Sequence, residues 1–241
     1  MSRPAAKDRI LVALDTVDLK VAHDLVRVLK GDVGGFKIGK EFFTALGPEA
    51  VRTVLGSALA FLDLKFHDIP NTVAGATRAA TRLGVRLLTV HASGGTAMMA
   101  AAATAAREAA AATGISPPKI LGVTVLTSMD EADLEAVGQR GPAAAQVERL
   151  ALLSQKAGLD GVVCSPREIA SLRQACGADF LLVVPGIRPD WAAKGDQKRV
   201  TSPAEACALG ADYLVIGRPI TAAQDPLEAA RRIVAEIEEA V

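Results

Sequence analysis

Eight short runs rich in Val, Ile and Leu recur along the chain: RILVAL, GGFKIG, ALAFLDLK, VRLLTV, KILGVTVL, GVVC, FLLVV and YLVI. Their apolar residues are near-continuous, as in strands buried on both faces of a parallel sheet. Helix-compatible stretches lie between most of them. Helices are expected over Leu19–Leu29, Glu49–Leu55, Asn71–Leu83, Thr96–Ala112, Ala143–Ala157, Pro166–Ala175 and Ala204–Leu209, with Pro226–Ala240 closing the chain. Eight alternating strand and helix units in 241 residues predict the α/β class, as a single (β/α)8 TIM barrel over residues 1–241 rather than an open doubly wound sheet.

Two segments depart from this rhythm. The block TAMMAAAATAAREAAAATG has the look of low complexity, but alanine is the best helix former and Gly114 supplies a C-terminal stop, so it reads as a barrel helix. The segment GIRPDWAAKGDQKRV, Gly186–Val200, is polar, carries the single Trp and exceeds most strand-to-helix connections in length, so it reads as a functional loop or lid.

Composition narrows the partners. The 27 basic and 27 acidic side chains cancel, which leaves no electrostatic footprint for nucleic acid or an anionic membrane. No window approaches the roughly 18 uninterrupted apolar residues of a membrane span. Cys164, Cys176 and Cys207 lack CxxC spacing, and the N-terminus has no apolar secretory core, so reduced buried thiols in a cytoplasmic protein are expected.

In a barrel the working groups stand at the C-terminal ends of the strands. Polar residues punctuate the apolar runs at those points: Asp15, Lys37, Asp63 with Lys65, His91, Ser128, and Gly217 with Arg218. Asp63 and Lys65 are two apart, so on a regular strand they face the same side, about 6–7 Å apart along the backbone. With Lys37 and Asp68 they make an alternating cluster of cations and anions. One such pair is as readily a structural ion pair as a site, but four groups converging on one mouth favour function, because buried charge is costly unless paired. Gly217 and Arg218 can meet a phosphate, the first through its backbone and the second through its fork of donors, although Gly-Arg alone is a weak signal.

Other chemistries find little support. GGFKIGKE approaches GxxxxGK[ST] but carries Glu41 in the hydroxyl position, and no helix-opening loop is expected there. His23, His67 and His91 lack metal-ligand spacing; His23 reads as a surface residue, His91 as a structural or acid-base group, and His67 as a neighbour of the charged cluster. Neither GxSxG nor a nucleophilic cysteine signature is present.

The segment DLKFHDIPNT, Asp63–Thr72, resembles the signature of the orotidine 5'-phosphate decarboxylase family in its compact bacterial form. The resemblance extends through LVALD, FKIG, VHASGG, VTVLTS, VVPGIRP, GDQKR and VIGRPI, nearly the whole chain. It implies decarboxylation of orotidine 5'-phosphate to uridine 5'-phosphate in de novo pyrimidine biosynthesis, with no metal or organic cofactor. It also implies a homodimer with shared active sites, while the balanced charge disfavours a nucleic-acid partner and no membrane span is expected. By residue match, Lys37, Asp63, Lys65 and Asp68 form the catalytic array, with Lys65 as proton donor to C6; Asp68 and Thr72 reach a partner's site, and Ile69 is among the substrate-binding residues. Asp15 falls on the ribose hydroxyls and Ser128 on the pyrimidine edge. Pro185, Arg188, Gln197, Gly217 and Arg218 complete the substrate contacts, chiefly at the phosphate. Two alternatives stand beside this reading: a magnesium-dependent sugar-phosphate decarboxylase or aldolase of the same superfamily, in which an acidic residue is expected where Lys37 stands, and a non-catalytic nucleotide-binding barrel.

Overall fold

The computed structural model describes residues 4–139, 141–192 and 201–240. Eight parallel strands close a barrel in chain order: β1 (Ile10–Leu14), β2 (Gly35–Gly39), β3 (Ala60–Phe66), β4 (Leu87–His91), β5 (Lys119–Val123), β6 (Gly161–Val163), β7 (Leu181–Pro185) and β8 (Tyr213–Ile216). Each expected run supplies one strand, and β8 returns to pair with β1 through Ile10↔Leu214 and Val12↔Ile216. The (β/α)8 architecture is thus the one read from the alternation of the sequence.

The helices outside it are α1 (Leu19–Leu29), α2 (Lys40–Leu55), α3 (Pro70–Thr81), α4 (Gly95–Thr113), α5 (Glu131–Ala136), α6 (Ala143–Lys156), α7 (Ile169–Cys176), α8 (Pro203–Leu209), α9 (Arg218–Thr221) and α10 (Pro226–Glu238). Their starts follow local chemistry. Asp18 caps α1 by accepting from the Lys20 and Val21 amides, and Asp225 does the same for Leu227 and Glu228 ahead of α10. The alanine-rich block forms α4, which ends where Gly114 turns left-handed.

Three helical stretches differ from expectation. Glu49–Leu55 is only the second half of α2, whose first half begins at Lys40 directly after β2; Gly47 and Pro48 break the helical path between them, with Gly47 at φ 75°. The GGFKIGKE segment runs from β2 straight into α2, its four central residues being strand and not loop, so it lacks a phosphate-cradling loop as well as the hydroxyl that Glu41 replaces. The short α5 is announced by a reciprocal cap between Asp130 and Asp133. The still shorter α9 follows β8 without any strong periodic signal.

Apart from the bulge in β3, the strands alternate, and that alternation places the site. Ile10, Val12 and Leu14 of β1, Phe36 and Ile38 of β2, and Leu182 and Val184 of β7 pack outward into the main core beneath the helices. Leu11, Phe61, Leu87, Leu121 and Val183 face inward and form a second apolar cluster that fills the barrel. The inward positions continue past this plug to Asp15, Lys37, Asp63 and Gly217 at the C-terminal mouth. At the opposite mouth, Arg173 donates to Asp212 Oδ2 at 2.6 Å and to the carbonyls of Gly210 and Phe180, tying together the connections that enter β7 and β8.

Candidate active site

A cavity of about 300 Å³ opens at the C-terminal end of the barrel, large enough for a small-molecule site. Ala13, Phe61, Val123, Val163 and Val215 line its apolar inner part, and Asp15, Lys37, Asp63 and Lys65 line one side. Pro185, Gly186, Arg188, Gly217 and Arg218 line it where β7 and β8 end. The cavity thus has an ionic wall and a wall of backbone and guanidinium donors, with an apolar floor between.

The ionic wall consists of two pairs. Lys37 Nζ lies 2.9 Å from Asp15 Oδ1, and Lys65 Nζ lies 2.6 Å from Asp63 Oδ2. Lys37 is almost fully buried, so its ammonium depends on a nearby anion and has one in Asp15. A Cβ added at Gly39 would stand 3.2 Å from Lys37 Nζ and 3.5 Å from Asp15 Oδ1, so glycine at the end of β2 leaves room for this pair.

Asp63 and Lys65 reach the same cavity by a different route from that of a regular strand. Between Leu62 and Phe66, β3 takes four residue steps while β4 takes two, from Leu88 to Val90. Among the described residues, Lys65 is the one non-glycine residue with positive φ, at 53°. That left-handed conformation costs an ordinary residue about 1–2 kcal/mol, and such strain is held only where surrounding contacts fix it. Here Thr89 of β4 supplies those contacts. Its hydroxyl accepts from the Lys65 amide at 2.9 Å and donates to Asp63 Oδ1 at 2.9 Å.

The other expected residues take several positions. Asp68, Ile69 and Thr72 are exposed, and none of them lines this chain's own cavity. Asp68 instead accepts from the Ile69 amide at 2.6 Å at the start of α3. Ser128 is exposed on the turn after β5, and it is Leu126 and Thr127 that line the cavity from that turn. Gln197 lies outside the described residues, as do residues 193–200 of the expected lid. The described ends of that segment are drawn together: the Arg188 amide donates to the Thr201 carbonyl at 3.1 Å, and Ile187 pairs with Thr201. Trp191 stacks under Arg232 of α10, whose guanidinium carbon lies 4.3 Å from the ring centroid.

The three cysteines are buried free thiols, as expected. Cys164 nevertheless lines the cavity, and burial pushes its thiol well above the usual range, so it meets the site as a small apolar group. His23 is exposed on α1. His67 and His91 lie against one another, their ring centroids 5.3 Å apart and tilted by 36°. Burial, followed by the charges of His67, Lys40 and Lys65, lowers the His91 pKa to about 4, so that ring is neutral near pH 7. Among the described residues no group of three His, Cys, Asp or Glu side chains is disposed to hold a metal ion.

Residues 8–233 match the family described as orotidine 5'-phosphate decarboxylase / HUMPS. The chain belongs to this family. It is 58% identical over 240 residues to the orotidine 5'-phosphate decarboxylase of Moorella thermoacetica, a match covering 99% of this chain and 95% of that protein. The enzyme of that name from Paramagnetospirillum magneticum is 56% identical over 229 residues, covering 95% of this chain and 97% of its own. Among solved structures, the orotidine 5'-phosphate decarboxylase of Lactobacillus acidophilus superposes with a TM-score of 0.82 at 38% identity, covering 98% of this chain and 99% of that one. Membership of the family agrees with the resemblance read from Asp63–Thr72, and the barrel agrees in fold.

No described helix is long and apolar enough to cross a membrane. Two cavity-lining residues carried no clear sequence signal: Thr127 is one position from the Ser128 chosen on resemblance, and Cys164 follows the shortest strand. Thr89 did have a usable one, since it occupies an inward position of β4 between Leu87 and His91.

Proposed function

We propose that this protein decarboxylates orotidine 5'-phosphate to uridine 5'-phosphate and CO2, the last step of de novo pyrimidine nucleotide synthesis, using residues 1–241 as one barrel domain. The observation that carries this reading is the placement of the Asp63–Lys65 pair on one wall of a nucleotide-sized cavity whose other wall ends in Arg188, Gly217 and Arg218. The relatives named above support the choice of substrate.

The chemistry matches those groups. Breaking the bond from C6 to the carboxylate leaves an electron pair on C6 as CO2 departs, with no attached electron sink. The Lys65 ammonium stabilises that developing charge and then donates a proton to C6, leaving a neutral amine to be recharged from solvent. A charge pair at about 4 Å with an effective dielectric near 20 is worth on the order of 4 kcal/mol before desolvation. The rest is assigned to binding energy from the phosphate end of the substrate, expressed in the transition state.

Asp63 holds Lys65 beside C6 and lies near the departing carboxylate. The Asp15–Lys37 pair is assigned to the ribose hydroxyls. Pro185, Arg188, Gly217, Arg218 and Gln197 are assigned to the phosphate end, and the turn carrying Thr127 and Ser128 to the pyrimidine edge. The exposure of Asp68, Ile69 and Thr72 away from their own cavity supports a homodimer in which they enter the partner's site; Ile69 is 66% exposed. A cytoplasmic location fits the three free thiols.

The test is direct. Purified protein given orotidine 5'-phosphate in excess EDTA should release CO2 and form uridine 5'-phosphate, identified by chromatography. Activity that required added magnesium, or that appeared only with sugar phosphates, would overturn the reading.

A further inference from the structure

We infer that Thr89 is a positioning residue for the reaction: through one hydroxyl it fixes both the Asp63 carboxylate and the backbone from which Lys65 projects. The inference rests on the decarboxylase reading and adds to it a residue outside the charged array.

The ladder between β3 and β4 is broken where Lys65 leaves it. In a regular parallel pair, backbone carbonyls of one strand satisfy the amides of the other. Here the register runs Phe61↔Leu87 and Leu62↔Leu88, then resumes only at Phe66↔Val90, so two extra residues of β3 bulge out of the ladder. The Lys65 amide falls in that gap and donates to Thr89 Oγ1 at 2.9 Å. A side chain has replaced a backbone acceptor, and it does so where Lys65 adopts φ 53°. Bulges beside active sites commonly redirect a side chain, and this one turns Lys65 toward the cavity.

The same hydroxyl donates its proton to Asp63 Oδ1 at 2.9 Å, while Asp63 Oδ2 receives Lys65 Nζ at 2.6 Å. The two carboxylate oxygens are therefore held by different strands, and the carboxylate cannot rotate without losing one partner. Thr89 is fully buried and does not line the cavity, so it acts through Asp63 and Lys65 and not by touching substrate. Its donor and its acceptor are both used, and an apolar residue in its place would strand a carboxylate oxygen and an amide together.

Thr89→Ser and Thr89→Ala differ from each other only in the hydroxyl, and Thr89→Val keeps the shape of threonine without it. With wild-type turnover of orotidine 5'-phosphate established first, Thr89→Val and Thr89→Ala should lose about tenfold or more in kcat with KM for the substrate little changed, and Thr89→Ser should stay within about threefold of wild type. Melting temperatures and uridine 5'-phosphate binding recorded for each variant separate position from stability. Equal kcat in the Ser and Ala variants would overturn the inference. So would an Ala variant that fails to fold beside a folded Ser variant, since the hydroxyl would then serve the fold. An inactive wild type would instead strike the decarboxylase reading itself.

Discussion

Lys65 and Asp63 meet at 2.6 Å although the backbone between them leaves the regular strand and turns left-handed at Lys65. The pair is consequently defined by the bulge in β3 as much as by the spacing of the two residues. Both side chains are partly buried, at 24% and 14% exposed, so the pair gains more from its surroundings than a surface ion pair does while keeping access to the cavity.

Arg218 begins α9 directly after Gly217 and is exposed at the cavity wall. Arg218→Ala is therefore expected to leave the melting temperature within a degree or two of wild type, while lowering kcat/KM for orotidine 5'-phosphate by about ten- to a hundredfold, the usual worth of one charge-assisted contact. Steady-state kinetics beside thermal unfolding check this. An unchanged kcat/KM would remove Arg218 from the phosphate site.

The barrel was legible in the sequence because parallel strands covered on both faces must be apolar throughout, and eight such runs stood out. Strand parity then carried Asp15, Lys37 and Asp63 to the inside. The detour at Asp63–Lys65 was not legible, since a bulge arises from the pairing of two strands and neither strand alone encodes it. The inward position of Thr89 on β4 was within reach of parity, but its role was not, because that role lies in a neighbour's broken ladder. Ser128 and Thr127 are a choice between adjacent hydroxyls on a turn, which periodicity does not resolve. The first half of α2 was hidden because Gly47 and Pro48 read as a break, and the chain does break there.

A dimer with shared sites has a clear arithmetic. If Lys65 acts in its own site and Asp68 in the partner's, Lys65→Ala and Asp68→Asn homodimers should both be inactive. After mixing and exchange of equal amounts, half of the dimers are mixed, and each mixed dimer restores one of two sites, so specific activity should recover to about a quarter of wild type. No recovery, despite exchange confirmed by native mass spectrometry, would place Asp68 in its own subunit's site, and an active Asp68→Asn homodimer would place it outside the chemistry.

His91 gives a pH signature. Its folded-state pKa, lowered to about 4 by burial and by the nearby charges of His67, Lys40 and Lys65, lies below the ordinary 6.5, so the unfolded chain binds the extra proton first. Stability contributed by the neutral ring is thus complete above about pH 6.5 and declines as pH falls toward 4. The slope from a fully buried imidazole would be at most about 1.4 kcal/mol per pH unit, and this half-buried one should give less. Urea unfolding between pH 4 and 7 should show a shallower decline in His91→Gln than in wild type. Identical slopes would show that His91 titrates normally.

The central claim is that Lys65 protonates C6 of orotidine 5'-phosphate. It is tested most directly by following loss of the orotate absorbance with wild type and with Lys65→Ala, under conditions where both bind uridine 5'-phosphate. Steady turnover by wild type and none detectable for Lys65→Ala is the predicted result. A Lys65→Ala enzyme with kcat near that of wild type would contradict it.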